Sequence, residues 1–362
     1  MKKLVLIDHF LIGKKGHEEQ YDYSIAKEAQ KRGIPVEVWC PINSQASQES
    51  FVKPCLMRPF WLRKNPAAKL LSAIRSIFEW RKLLTDKAFD KDTIVLIENV
   101  RPIILLLLLL ALVGLKLKPK VVVVLRRTLN KLLVYLLKRK QILLFSDSEL
   151  ISEQINAETL PIPHMPPRNE NLADNNKIVI GYFGEARFDK GFNLLADLVR
   201  LVLAETNKMS FIVQVNIHKP DKLIERAYHQ LKELKQANPG QLEIVDRYLS
   251  DDEYVSLMRK CSIILIPYRK KYYGLGTSGI LAEAIANGSW AVMPKGTWMA
   301  EQKHKYDRII EFAEPTPEAL LQAISYCSSK NISVDKSKLK QQIDRWYEFH
   351  SPKKYIEILQ TI

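Results

Sequence analysis

Apolar runs alternate with amphipathic stretches along nearly the whole chain. KLVLI (3–7), VEVW (36–39), TIVLIE (93–98), KVVVVL (120–125) and QILLFS (141–146) are aliphatic or β-branched almost throughout, the pattern of strands buried on both faces. Helical patterns fall between them at 21–33, 67–84, from Pro102 onward and at 128–140. Strands each followed by a helix predict a parallel sheet covered on both sides. The pattern then breaks: residues 157–177 carry Pro161, Pro163, Pro166 and Pro167 among polar residues, a density that interrupts helix and strand alike.

The same grammar restarts beyond the break. Strands are expected at 177–184, 211–217, 242–246, 262–268 and 290–294, with helices at 191–205, 221–237, 251–261 and 278–288. Ser250 and Glu253 form a capping box ahead of the third of these helices, which accounts for Asp251 and Asp252 as an acidic first turn. The expected architecture is α/β: two tandem Rossmann-like domains, 1–160 and 178–335, facing a cleft and joined by a linker over 161–177. One last helix around 337–360 reads either as an ordinary packed terminus or as a brace returning to the first domain.

The run from Pro102 to Leu115 contains six consecutive leucines. Its 14 residues fall short of the about 20 needed to cross a bilayer, so it is expected to be a buried crossover helix. The chain of 362 residues has room for two full cores, and 47% hydrophobic with 26% charged residues is the balance of a folded protein. Four widely spaced cysteines, Cys40, Cys55, Cys261 and Cys327, suggest neither a disulfide framework nor a zinc ribbon. The apolar start MKKLVLI ends at Asp8 and His9, too short for a signal peptide, so a cytoplasmic location is expected.

The net charge of +15 is uneven: residues 1–170 hold 28 Lys or Arg against 17 Asp or Glu. Such an excess suits an anionic partner: an inner membrane surface, a phosphorylated acceptor or nucleic acid. No nucleic-acid-binding motif accompanies it. Residues 116–140 carry nine Lys or Arg and no Asp or Glu. The leucines of its helix either face the sheet or form a stripe for shallow insertion.

Two segments carry candidate chemistry. In GYFGEARFDKGFNLL (181–195) a strand ends at Gly184, a loop bears Arg187 and Lys190, and Gly191 is expected to start a helix. Cations and helix-start amides at the carboxyl edge of a parallel sheet suit a diphosphate; the alternative is a solvated polar turn. In YRKKYYGLGTSGILAEAIANGSWAVMP (268–294) the amides of Thr277, Ser278 and Gly279 open a helix that carries Glu283. This segment reads as a phosphate cradle with a ribose-binding carboxylate, or as an N-cap with an exposed helix residue. No GxGxxG fingerprint and no Walker loop occurs.

GEARFDKGF, a strand ending in PY, and SGILAEAIANGSWAVMP together resemble the donor domain of GT-B glycosyltransferases, most closely the retaining family-4 type. The resemblance covers residues 178–300 by motif and the rest by architecture. It implies that Arg187 and Lys190 neutralise a nucleotide diphosphate, that Gly184, Thr277, Ser278 and Gly279 line the phosphate site, and that Glu283 holds the ribose. It further implies an acceptor site in the first domain, for which Asp8, His9, Gly16, His17, Glu98 and Asn99 are the candidates at strand ends and in the loop with Gly13. A nucleotide sugar is the expected donor, a carbohydrate or lipid-linked sugar the expected acceptor, and no metal or other cofactor is expected. One position departs from the pattern: Leu275 stands where members commonly carry a second glutamate. Against glycosyl transfer stand a nucleotide-sugar epimerase of the same fold and a catalytically inactive sugar-nucleotide-binding or membrane-surface module.

Overall fold

The computed structural model describes all residues except 13–16, 47–48, 58, 60, 62, 165–177, 218–220, 248 and 331–334. The chain divides into two compact units, Met1–Met165 with His350–Ile362, and Pro166–Phe349. Residues 165–177, most of the expected linker, lie outside the described residues.

The first unit runs β1 (Lys3–Ile7), α1 (His17–Lys31), β2 (Val36–Pro41), β3 (Val52–Leu56), α2 (Pro66–Leu84), β4 (Thr93–Ile97) and α3 (Pro102–Ala111). It continues with β5 (Lys120–Val124), α4 (Lys131–Arg139), β6 (Leu143–Ser146), α5 (Glu149–Ile155) and β7 (Glu158–Thr159). The strands form a sheet ordered β3-β2-β1-β4-β5-β6-β7 with every neighbouring pair parallel. Right-handed crossovers then fix the layers. The chain moves one way from β1 through α1 to β2, and the other way through α2, α3 and α4, so α1 covers one face and those three helices the other.

The second unit holds β8 (Ile178–Glu185), α6 (Leu195–Glu205), β9 (Met209–Asn216), α7 (Lys222–Ala237), β10 (Leu242–Val245) and α8 (Asp251–Arg259). Next come β11 (Ile263–Leu265), α9 (Lys270–Tyr273), α10 (Gly279–Ala286), β12 (Trp290–Pro294), α11 (Trp298–Glu301), β13 (Ile309–Phe312), α12 (Pro317–Lys330) and α13 (Lys336–Phe349). Its sheet is ordered β10-β9-β8-β11-β12-β13, again all parallel. The capping box at α8 forms as the sequence indicates, Ser250 and Glu253 satisfying each other's backbone amides.

The single terminal helix expected around 337–360 is two helices, α13 and α14 (Pro352–Thr361). Pro352 lacks an amide hydrogen and sits at the first turn of α14, while the Ser351 side chain accepts from the Lys354 amide, so the second helix is nucleated afresh. The helix α14 belongs to the first unit and packs against α1. Tyr355, Ile356 and Leu359 are fully buried there, Tyr355 meets Tyr21 edge-on at 6.2 Å, and Arg32 pairs with Glu357 at 3.2 Å.

Removing a fully buried leucine leaves a cavity worth about 2–5 kcal/mol. Leu359→Ala should therefore lower the unfolding free energy of the first unit by that amount in urea denaturation, whereas the exposed Gln360→Ala should change it by less than about 0.5 kcal/mol.

Candidate functional site

In the second unit the candidate residues gather where β8 and β11 end. Gly191, at φ +73°, lies so close to the chain after β11 that an added Cβ would stand 2.1 Å from the Pro267 carbonyl oxygen. Only glycine meets both demands. The approach seats the β8 loop on the segment that leads into α10. Gly184 adopts φ +120°, which L side chains rarely take, and Lys190 Nζ lies beside it, 3.4 Å from where a Cβ would be.

The β8 loop differs from the expectation in one respect. The helix that follows Gly191 opens as a 3-10 turn over Phe192–Leu194 before α6 begins at Leu195, and Gly191 also closes a 3-10 turn over Phe188–Lys190. The amides of Lys190, Gly191, Phe192 and Leu194 donate to carbonyls inside these turns, so the loop offers side chains rather than open helix-start amides.

Arg187 is half exposed and held by two acids. Its Nη1 donates to Glu185 at 2.9 Å, its Nε to Asp189 at 2.9 Å and its Nη2 to Asp189 and to the Tyr273 hydroxyl. The hydrogen bond to Asp189, then that to Glu185, raise its pKa further above the usual arginine value. Asp189 also accepts from the Tyr273 hydroxyl at 2.9 Å. Burial opposes its ionisation, but the bonds from Arg187 and Tyr273 hold its carboxyl below the usual range. Lys190 Nζ stands 5.8 Å from the centre of the Tyr268 ring.

Tyr268 joins the two segments. It is buried, its ring lies 4.5 Å from that of Tyr273, and its hydroxyl shares a hydrogen bond with the Ser278 side chain. Ser278 caps α10, its hydroxyl accepting from the Leu281 amide at 3.3 Å. The first amides of a helix have no partner within it, so the Thr277–Gly279 corner presents the positive end of α10. One turn and a half along, Glu283 accepts from the Tyr254 hydroxyl at 2.7 Å, and Tyr254 packs edge-on against Phe183 of β8. A carboxylate has about four acceptor directions, and the Tyr254 hydroxyl takes one of those of Glu283.

Sequence reasoning missed Tyr254, Tyr268 and Tyr273, the side chains that orient the others. It also missed Lys270, whose Nζ lies 2.6 Å from where a Cβ on Gly296 would be, placing a further cation beside the end of β12.

In the first unit Asp8, His9, Glu98 and Asn99 meet at the carboxyl ends of the adjacent strands β1 and β4. Asp8 is fully buried and accepts from Asn99 Nδ2 at 2.7 Å and from the Phe10 amide at 2.6 Å. Asn99 adopts φ +51°, a turn that asparagine tolerates. The unforeseen centre of the cluster is Arg126, just past β5. It donates to Asn99 Oδ1 and to Glu98 at 3.3 Å, lies 3.4 Å from Asp147 beyond β6, and stacks on Tyr21 at 4.6 Å. Tyr355 of α14 donates to the other oxygen of Glu98 at 2.6 Å. Two carboxylates thus pair with one guanidinium, and a third, that of Asp8, joins it through Asn99, along four strands that are neighbours in the sheet. Among the described residues no group of three or more His, Cys, Asp or Glu is arranged to hold a metal ion. Gly16 lies outside the described residues, as does the side chain of His17, the first residue of α1.

Burial pushes the Glu98 carboxyl up to about 7, with Asp8 and Asp147 adding to the shift and Arg126 and Tyr355 opposing it. Burial against Trp80, whose ring lies 5.2 Å away, lowers His9 to about 4. A histidine held neutral in this way is a poor proton acceptor near neutrality, whereas Glu98 titrates where a general base works best. The two shifts act on stability in opposite senses. Between pH 4 and 6.5 unfolded His9 binds the proton that folded His9 does not, so stability rises with pH. Between pH 4.5 and 7 folded Glu98 binds the proton that unfolded Glu98 has lost, so stability falls with pH. Glu98→Gln should remove the second contribution, and thermal midpoints of that variant should climb more steeply than those of the wild type from pH 5 to 6.5. A parallel pair of curves would contradict the assignment.

No family model and no curated protein matches the sequence. Solved structures do resemble it along nearly the whole chain. α,α-Trehalose-phosphate synthase (UDP-forming) from Burkholderia xenovorans, in complex with glucose-6-phosphate, superposes with a TM-score of 0.68 at 10% identity, 99% of each chain being covered. A glycosyltransferase from Rickettsia africae gives 0.71 at 12% identity, with 99% of this chain and 97% of that one covered. Anabaena HepE in complex with UDP gives 0.65 at 14% identity, with 99% of each covered. Together with the two parallel sheets, this likeness establishes the architecture: the protein has the GT-B fold of two tandem Rossmann-like domains.

Proposed function

We propose that the protein is a glycosyltransferase that moves a sugar, with retention, from a nucleoside diphosphate donor to a carbohydrate or lipid-linked acceptor. The observation that carries this reading is the meeting, enforced by Gly191 against Pro267, of the Arg187–Lys190 loop with the Ser278-capped helix and its tyrosine-held Glu283. A diphosphate fits between cationic side chains and a helix N-terminus, and Glu283 lies further along that helix, suited to accept from two ribose hydroxyls. The fold neighbours include structures in complex with UDP and bound with UDP-2-fluoro glucose, which supports a nucleotide at this site.

In the proposed reaction the bond between the anomeric carbon and the diphosphate oxygen breaks, and the acceptor oxygen bonds to that carbon. The acceptor proton passes to the departing phosphate. Negative charge grows on the diphosphate as the bond breaks, so Lys190, Arg187 and the Thr277, Ser278 and Gly279 amides act where the transition state needs them. Arg187 enters this step already bound to Glu185 and Asp189, which fix its plane; phosphate oxygens must share or displace those acids. The reaction requires no protein nucleophile and, in this reading, no metal. A peripheral position on an anionic membrane face belongs to the same reading, supported by the basic excess of the first half.

A second reading rests on Leu275, which replaces the glutamate common at the donor sugar: a module that binds a sugar nucleotide without turnover. Either reading requires the nucleotide site. Screening UDP, GDP and ADP by thermal shift should find one that raises the midpoint. Arg187→Ala should weaken that ligand by about 1.5–3 kcal/mol, the scale of a hydrogen bond to a charged group. Glu283→Gln should weaken the nucleotide but leave pyrophosphate binding unchanged. Wild-type affinity in a folded Arg187→Ala variant would remove the diphosphate assignment.

A further inference from the structure

The helical layer α2, α3 and α4 presents an outer face that an α/β domain ordinarily makes polar. On α2, Leu70 and Phe78 are 65% and 66% exposed, with Ile74 between them on the same stripe. On α3, Ile103, Leu106 and Leu110 are exposed at helical spacing, while Ile104, Leu105 and Leu108 fill the core. The expected buried crossover helix is therefore apolar on both sides, one of them facing solvent. On α4 the leucines divide likewise: Leu137 is buried, and Leu132 and Leu136 point outward.

The three stripes form one surface. All three helices lie on the same face of the sheet, α2 packs on α3, and α3 touches α4. Their C-terminal ends are tied together: Arg81 donates to the carbonyls of Ala111 at 3.1 Å and Val113 at 2.7 Å, and Lys140 donates to that of Leu112 at 3.2 Å. Around α3 and α4 the charge has one sign, whereas α2 carries Glu79, which accepts from the Met57 amide. Between Glu98 and Asp147 there is no Asp or Glu; of the ten Lys or Arg there, Arg126 sits in the carboxylate cluster and Lys120 donates to the Ile362 carbonyl, which leaves eight.

We infer that this three-helix face docks on an anionic lipid bilayer, its leucines and Phe78 entering the acyl boundary while the flanking lysines and arginines meet the headgroups. Apolar stripes bordered by cations suit the interface between water and lipid. A second copy of the chain is a poorer occupant, because self-association would set one basic rim against another. The face lies on the membrane rather than through it: no helix among the described residues is long and apolar enough to cross. The inference rests on the peripheral membrane position proposed above and names the face that makes it, but it does not depend on the nucleotide site, which belongs to the other unit. It differs from a purely electrostatic attraction, since salt screens charge but not insertion.

Sedimentation with phosphatidylglycerol–phosphatidylcholine vesicles and with pure phosphatidylcholine vesicles, each at low and high salt, tests it. The wild type should bind the anionic vesicles, lose part of that binding at high salt and keep a salt-resistant fraction. The triple variant Leu106→Gln, Leu110→Gln, Leu132→Gln alters only exposed positions and should keep the wild-type thermal midpoint. It should lose the resistant fraction, its partition falling about tenfold or more. Absence of vesicle binding under every condition, equal binding by the variant, or a dimer in light scattering that the variant abolishes would each overturn the inference.

Discussion

The candidate site depends on one close approach, that of Gly191 to the Pro267 carbonyl. Any side chain at position 191 would collide with that oxygen, and any residue other than glycine would be strained at φ +73°. This contact brings a loop rich in charge from the end of β8 against the segment that follows β11. Every later feature of the site builds on it: Lys190 over Tyr268, Arg187 and Asp189 on Tyr273, and Tyr268 on the cap of α10. Glu283 is held from a different direction, by Tyr254 of α8. Tyrosines thus supply the framework, and charged groups supply the chemistry proposed for it.

Both units obey the same topological constraint with different outcomes. In a parallel sheet with right-handed crossovers, all the loops that follow strands emerge at one edge. In the second unit that edge collects cations and a helix N-terminus. In the first it collects carboxylates, Asp8, Glu98 and Asp147, around Arg126. Burial without a partner would be costly for each of these acids, so the cluster is stable only as a set. Tyr355 makes the set depend on α14, a segment that the chain supplies nearly two hundred residues after β7.

Much of this was legible in the sequence because parallel strands buried on both faces are continuous apolar runs, and the strand–helix alternation could be read directly. β3 escaped since its residues are mostly exposed and include Pro54, and β13 because it is only four residues long. Gly184, Arg187, Lys190, Ser278 and Glu283 stood out by spacing, but their tyrosine partners did not, for that pairing exists only across strands. Arg126 was invisible for the same reason: one arginine after a valine run carries no sign that two acids pair with it and a third joins it through Asn99. The leucine run at 102–115 was legible as a helix but not as an exposed one, because a sequence apolar on all sides has no periodicity to mark its outer face. The free amides expected at Gly191 were misjudged because a glycine there signals a positive φ as readily as a helix start.

Glycosyl transfer makes a demand that neither the fold nor nucleotide binding alone meets. Incubating the protein with its tightest-binding class of nucleotide sugar, with and without a panel of carbohydrate and lipid-linked acceptors, and following nucleoside diphosphate release together with the anomeric configuration of the product by NMR, tests it most directly. Release should depend on an acceptor, and the product should keep the configuration of the donor. Saturable donor binding with no release across the panel would contradict it and leave a binding module.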